Sequence, residues 1–132
     1  MIQRRAVLLL SALIGLLSAC KAEVPLTACT LNFAAVTLIV RAADGSPVPG
    51  VTISDTILRT HDGFVVDQSG TTLSRVRVVL DDRFRTRIRR QGDSVRVAGT
   101  NGTVGFSADF VFDVPGGCHV QKVAGPDSVT AS

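Results

Sequence analysis

The chain has 132 residues, 45% of them hydrophobic, with a formal net charge of +3 and neither Trp nor Tyr. This length suits a single domain with a modest core. The lack of Trp and Tyr argues against an aromatic-rich surface on which carbohydrate rings or nucleobases could stack.

The chain opens with a short leader that ends sharply. A basic head with Arg4 and Arg5 precedes the almost wholly apolar run 6–19, and the leader closes on Leu17-Ser18-Ala19-Cys20. The charge, the length and the small residues at the end are typical of a signal peptide, and the run is too short to span a bilayer as a helix. The end of the leader resembles the bacterial lipoprotein signal, in which cleavage precedes a cysteine whose sulfur takes up diacylglycerol.

This resemblance implies that residues 1–19 are a helical signal peptide that is removed, and that the mature chain begins at a lipidated and further acylated Cys20. An ordinary secretory peptide with a chance cysteine, or a buried helix, is the alternative. Two or three acyl chains anchor a protein firmly to a membrane. Lys21, not Asp, follows the cysteine. By resemblance to Gram-negative sorting, this favours the periplasmic face of the outer membrane over the inner membrane.

The cysteine count supports a disulfide once the lipid is assigned. Three cysteines are an odd number for an exported protein. With Cys20 lipidated, Cys29 and Cys118 remain, near the two ends of the mature chain and in an oxidising compartment. We predict that they pair, with two buried reduced thiols as the alternative.

Beyond a tether over residues 20–28, the pattern from residue 29 to residue 132 is that of short β-strands in one domain. Val, Ile, Thr and Phe are dense, apolar positions alternate, and Gly, Pro, Asn and Asp mark turns. Such strands at 8–12-residue spacing predict an all-β, antiparallel sandwich or small barrel. The strand pattern weakens over residues 55–72, where we interpret Asp55, Asp62 and Asp67 as loop polarity rather than as a calcium cluster. The predicted strands cover 30–42, 48–54, 64–66, 73–80, 83–89, 94–98, 103–114, 118–123 and the surroundings of Val129.

Two stretches carry a family likeness. Residues 37–53, with Asp44-Gly45-Ser46-Pro47-Val48-Pro49-Gly50 at their centre, resemble the opening of carboxypeptidase regulatory-like domains. Gly117-Cys118-His119-Val120 is similar to the last part of small exported members, which also carry a cysteine just before the first strand, as Cys29 does here. The resemblance implies a seven-stranded, transthyretin-like (prealbumin-like) β-sandwich without catalytic residues of its own, which serves as a structural, adhesive or interaction module. The middle of the chain, residues 55–98, departs from the family pattern.

Arginine is concentrated in the middle of the mature chain, whose total charge is nearly balanced because the remaining residues are acidic overall. Residues 75–96 hold eight Arg and three Asp, and residues 83–89 alternate strictly between Arg and other side chains. If this stretch is a strand paired with the preceding one, six guanidinium groups share a face suited to phosphate or carboxylate. A solvated face that protects a sheet edge is the alternative. The predicted anion-binding residues are Arg75, Arg77, Arg83, Arg85, Arg87 and Arg89.

Residues suited to catalysis or metal binding are sparse. His61 and His119 are the only histidines, and no serine lies in a Gly-x-Ser-x-Gly elbow. We therefore predict no enzymatic activity, no cofactor and no metal. The predicted function is that of a membrane-anchored envelope module that binds a partner protein or supports structure. The alternative is binding of anionic lipid or lipopolysaccharide through an arginine-rich hairpin. Nucleic acid is disfavoured by the compartment, and a small hydrolase or metal-binding protein is the third hypothesis.

Overall fold

The computed structural model describes residues 28–69 and 75–132. The predicted signal peptide, Cys20 and all but the last residue of the predicted tether lie outside the described residues. Within them the chain is all-β, with two short 3₁₀ turns at Asp82–Phe84 and Pro115–Gly117. The strands are β1 (Ala35–Ala42), β2 (Thr52–Ile57), β3 (Asp62–Val66), β4 (Val76–Asp81), β5 (Asp93–Thr100), β6 (Gly105–Asp113), β7 (Gln121–Ala124) and β8 (Ser128–Ala131).

The strands form two sheets that pack as a β-sandwich. The smaller sheet has the order β4-β1-β8 and the larger one the order β3-β2-β5-β6-β7. Every neighbouring pair is antiparallel except β1 and β8, which run parallel from Ile39 opposite Ser128 to Ala42 opposite Ala131. The predicted all-β sandwich is confirmed. The described residues form eight strands rather than the expected seven, and the pairing is not purely antiparallel.

The parallel pair arises where the chain changes sheets. β7 ends at Ala124 in the larger sheet, and β8 begins at Ser128 in the smaller one. Gly125 makes this step at a φ of 126°, and a Cβ atom there would lie 2.4 Å from the ring of Phe110. Glycine therefore allows the backbone to cross closely over the core. Because this crossing replaces a hairpin, β8 joins β1 in the parallel orientation instead of returning beside β7.

The core lies between the two sheets and is built mainly from alternate residues of the strands, with no buried residue in β7. β6 contributes Phe110 and Phe112, which are fully buried and whose ring centroids lie 5.4 Å apart. This confirms the period-two pattern predicted over residues 103–114. The other fully buried large side chains are aliphatic: Leu38, Val40, Ile53, Ile57, Val66, Val79, Leu80, Val95, Val97 and Val114.

The predicted strand over residues 83–89 is wrong. The chain instead forms the 3₁₀ turn Asp82–Phe84 and then further turns. The carboxylate of Asp81 starts this structure by accepting the backbone N–H of Arg83 at 2.9 Å. Within residues 83–90 only Ile88 is buried. A local bond from a side chain to the backbone thus prevails over the alternating pattern.

Candidate functional site

The two ends of the domain are joined where the predicted tether enters it. Cys29 and Cys118 form a disulfide with a Cα–Cα distance of 5.2 Å, across 89 residues of sequence. The predicted pairing is confirmed. In the chain-entropy model a loop of this length contributes about 4–5 kcal/mol to the stability of the folded state. The bond also fixes residue 29 beside the Pro115–Gly117 turn.

Asp82 fastens the same region through three hydrogen bonds. Its Oδ2 accepts the N–H of Ala34 at 2.8 Å and lies 2.6 Å from Nδ1 of His119, while its Oδ1 accepts the N–H of Val120 at 2.9 Å. Burial raises the pKa of the Asp82 carboxyl, but the bonds from Ala34, His119 and Val120 outweigh burial, so its pKa lies below the ordinary value. The Asp82 side chain, only 4% exposed, is therefore an ionised acceptor that holds the N-terminal segment against the chain that leads into β7.

Thr30 extends this arrangement into a chain of hydroxyl, imidazole and carboxylate. Its Oγ1 lies 2.8 Å from Nε2 of His119, the ring nitrogen that does not face Asp82. In hydrolases the same order of groups supplies a nucleophile, a general base and an orienting carboxylate. Acyl transfer also needs free donors for an oxyanion, and the N–H groups of Gly117 and Cys118 are already bonded to carbonyls of their own turn.

We define the Asp82 clamp as Thr30, Ala34, Asp82, His119 and Val120. Its geometry is suited to holding the segment after Cys29 on the domain. Sequence analysis missed the Asp82 clamp because 89 positions separate Thr30 from His119. In the sequence the adjacent Asp81-Asp82 indicates a turn, with nothing to show which backbone groups Asp82 would accept. The one feature of the sequence that pointed to the Asp82 clamp is that His119 follows Cys118 directly, which places its imidazole beside the disulfide.

A shallow cavity of about 300 Å³ opens beside the disulfide. Its walls include Leu31 and Phe33 of the N-terminal segment, together with Arg85 and His119. Leu31 is fully exposed and Phe33 is 63% exposed. The Arg85 guanidinium donates weakly to the carbonyl of Asp82, at 3.4 Å. Apolar side chains and a cationic group therefore border one opening, at the end of the domain where the tether enters.

The six arginines of the predicted anion-binding patch do not share a face. Arg77 is buried and donates to the carbonyls of Val48, at 2.7 Å, and Val76, at 2.8 Å. Arg75 lies exposed just before β4. The single patch was predicted from a hairpin, and because residues 83–89 form turns instead, the prediction is wrong.

Two of the six arginines are paired with buried carboxylates. The NH2 group of Arg83 lies 2.6 Å from Oδ2 of Asp81, and this hydrogen bond raises the pKa of Arg83. Asp93 accepts from both Arg89, at 2.9 Å, and Arg59, at 2.8 Å. The bond from Arg59, and with it the N–H and charge of Arg89, lowers the pKa of Asp93 against the effect of burial. These pairs fasten turns to the sandwich and leave little free charge on Arg83 and Arg89.

The remaining two arginines project from the turns. The guanidinium carbon of Arg87 lies 5.4 Å from the ring centroid of Phe64 and 5.9 Å from that of Phe84. The two rings stack with their centroids 4.3 Å apart. Arg85 borders the cavity described above. Within the described residues no salt bridge involves Arg85 or Arg87.

A carboxyl group interpreted as loop polarity lies in the core. Asp55 occupies the inward-facing parity of β2, between Ile53 and Ile57, and is 1% exposed. Neither of its carboxyl oxygens has a hydrogen-bond partner in the described part of the chain. Burial raises the pKa of Asp55 to about 8, so the group is largely protonated at neutral pH. The signal that sequence analysis missed is the even spacing of Ile53, Asp55 and Ile57.

The described ranges 28–69 and 75–132 contain no group of three or more His, Cys, Asp or Glu placed to hold a metal ion. None of the helices in those ranges is long and apolar enough to cross a membrane. Comparison of the chain with protein-family models, with curated proteins and with solved structures found no match. The resemblances to lipoproteins and to carboxypeptidase regulatory-like domains therefore stay predictions.

Proposed function

We propose that this protein is a lipid-anchored, extracytoplasmic β-sandwich module with a non-catalytic binding or structural role in the bacterial cell envelope. The observation that carries the proposal is the Cys29–Cys118 disulfide. Such bonds persist in oxidising compartments outside the cytosol. The bond leaves Cys20 as the odd cysteine, at the point where the leader ends. Export and lipidation of Cys20 together account for all three cysteines.

The Asp82 clamp supports an anchored role. A tether transmits any displacement of the lipid anchor to the residue at which it joins the domain. Here that residue, Cys29, is covalently bonded to Cys118, and Ala34 is held by Asp82 immediately before β1. A load on the tether therefore meets a crosslink before it reaches β1, the central strand of the smaller sheet. This arrangement suits a domain that is held at a membrane while it binds a partner.

For the fold family we propose a transthyretin-like sandwich of the carboxypeptidase regulatory-like kind. Support comes from the link between β1 and β2, which carries the chain from the smaller sheet to the larger one. Gly45 and Gly50 adopt φ values of 81° and 67° in this link, and Pro47 bridges back to Arg41. Residues with positive φ shape such turns at low cost when they are glycines. The Gly and Pro positions of the motif thus have a structural role here.

The second candidate function is contact with an anionic envelope surface, such as anionic lipid or lipopolysaccharide. It no longer rests on a hairpin. The observation that favours it is that Arg85 and Arg87 project from the turns without a salt bridge among the described residues. Arginine suits phosphate groups through its planar set of donors.

Intact mass measured on protein purified from membranes tests the anchor. We expect a chain that begins at Cys20 and carries the mass of two or three acyl chains, and we expect Cys20→Ser to lack that mass. The double variant Cys29→Ser/Cys118→Ser is the matched control, because it removes two thiols and should keep the lipid. An unmodified chain would refute the proposal.

The role of the module is tested by crosslinking in intact cells, purification through an affinity tag after Ser132, and mass spectrometry of what co-purifies. One abundant protein that co-purifies with the wild-type chain, at defined stoichiometry, supports a binding role. Recovery of lipid or polysaccharide alone, with no protein, favours the second candidate function.

A further inference from the structure

Two apolar side chains are exposed at the end of the domain that faces the tether. Leu31 and Phe33 follow the disulfide cysteine Cys29 by two and four residues. Their neighbours are fixed, because Thr30 bonds His119 and Ala34 bonds Asp82. The two side chains are therefore held outward by a fastened backbone. Scattered exposed apolar residues are ordinary, but two that border one cavity form a small patch.

Two guanidinium groups lie at or next to the wall of this cavity, which includes Gly117. Arg85 borders the same cavity as Leu31 and Phe33. Arg90 lies against Gly117, where a Cβ atom would approach its NH2 group to 2.9 Å. Both arginines are exposed, and neither forms a salt bridge within the described ranges. We name Leu31, Phe33, Arg85 and Arg90 the anchor-side surface.

The length of chain between the lipid and the domain limits how far this surface can lie from the membrane. Cys29 follows Cys20 by nine residues, and a fully extended chain of that length spans at most about 30 Å. The anchor-side surface begins two residues beyond Cys29. With Cys20 lipidated, this surface therefore stays within reach of the bilayer.

We propose that the anchor-side surface rests on an anionic phospholipid bilayer, with Leu31 and Phe33 in the interfacial region and Arg85 and Arg90 at the phosphate groups. The proposal rests on the proposed function, since it takes the acyl chains on Cys20 as given. Apolar side chains suit the boundary between the headgroups and the acyl chains, and cationic side chains beside them suit the anionic headgroups. A lipid anchor raises the effective concentration of the surface at the bilayer, so a weak contact suffices to orient the domain.

The chain contains no Trp, so a single introduced Trp reports its own surroundings. We would place it by Phe33→Trp, with Val65→Trp and Val123→Trp as controls at the other exposed apolar positions, which are 62% and 57% exposed. Lipidated protein would be reconstituted into phosphatidylcholine vesicles with 30–40% phosphatidylglycerol (about the charge density of an anionic leaflet) and brominated acyl chains. We expect Trp at position 33 to be quenched at least about twofold more than either control, with a blue-shifted emission.

The charge contribution is tested in the Phe33→Trp background. The double variant Arg85→Gln/Arg90→Gln should lower the quenching towards the control value in anionic vesicles and have little effect in phosphatidylcholine alone. Arg41→Gln/Arg75→Gln is the matched control: it removes the same charge from exposed positions near the far end of β1, roughly 20 Å along the strand from Ala35. The control variant should leave the quenching unchanged.

The outcomes separate the two proposals. Equal quenching at positions 33, 65 and 123 in protein that carries its acyl mass overturns the docking surface and leaves the anchor intact. A blue shift at position 33 without lipid quenching means that a protein covers the surface, and also overturns it. A chain that lacks acyl mass overturns both proposals. Leu31→Trp is a second reporter in case Phe33→Trp alters the far-UV circular dichroism spectrum.

Discussion

Because Asp55 is protonated in the core, we expect the free energy of unfolding to depend on pH. The pKa of this carboxyl is about 8 in the folded protein, whereas in the unfolded chain it returns to its ordinary value of 3.8. The unfolded state therefore binds fewer protons between these two pH values. Stability falls as pH rises wherever the unfolded state binds fewer protons.

The magnitude follows from the width of this window. Each unit of pKa difference corresponds to 1.36 kcal/mol, so Asp55 lowers the free energy of unfolding by about 4 kcal/mol between pH 4 and pH 7. That is a large part of the 5–15 kcal/mol of a typical domain. Asp82 and Asp93, whose pKa values are lowered, act in the opposite direction. Their contributions are lost as pH falls below about 4, which lies outside the window of Asp55.

The perturbation that isolates the effect is Asp55→Asn, which keeps the shape of the side chain and removes the titration. Asp62→Asn, at an exposed position of the neighbouring strand β3, is the matched control. Urea unfolding of residues 20–132 with Cys20→Ser would be followed by far-UV circular dichroism, because the chain has neither Trp nor Tyr.

We expect the stability of Asp55→Asn relative to wild type to rise by about 4 kcal/mol from pH 4 to pH 7, well beyond any change seen with the exposed control Asp62→Asn. The amide of Asn also lacks partners, but that cost is the same at every pH and cancels in the slope. A difference between Asp55→Asn and wild type that stays constant over this range would refute the assignment of a neutral buried acid.

Three further predictions concern the bonds that fasten the turns. Replacing Cys29 and Cys118 together by Ser should lower the free energy of unfolding by about 4 kcal/mol in urea titrations, and an unchanged midpoint would contradict the crosslink. Asp82→Asn should cost about 2 kcal/mol at pH 7 and progressively less as pH falls below about 4; a cost that persists at pH 2 would speak against an ionised acceptor. Asp93→Asn should cost about 2 kcal/mol, whereas Asp109→Asn, at an exposed pair, should cost clearly less; equal costs would rule out the distinction between buried and exposed pairs.

The parts of the fold that followed from sequence are those governed by local periodicity. The alternation over residues 103–114 predicted the buried face of β6, with Phe110 and Phe112 in the core. The odd cysteine count predicted the pairing of Cys29 with Cys118. In both cases the physical cause is visible in the sequence: burial of every second residue as alternation, and disulfide formation as the number of cysteines.

The features that the sequence did not predict correctly all depend on the contacts of a carboxylate. Asp81 caps the turn that interrupts the arginine alternation, and Asp82 gathers donors from residues 34, 119 and 120. Asp55 faces the core on the apolar parity of β2, where a charged residue type argues against burial. Each outcome depends on which groups the tertiary structure brings to the carboxyl oxygens. No spacing rule in a single sequence contains that information.

The distribution of charge around the turns links the fold to the orientation of the domain. The carboxylates of Asp81 and Asp93 are buried and engage Arg83 and Arg89. Arg85 and Arg90 form no salt bridge among the described residues: Arg85 borders the cavity that Leu31 and Phe33 line, and Arg90 lies against Gly117 of the same cavity. The edge strands of the larger sheet are β3 and β7, with Val65 and Val123 exposed on them. Unpaired sheet edges bind extended partner segments, so these two strands are where an extended partner segment would pair with the domain.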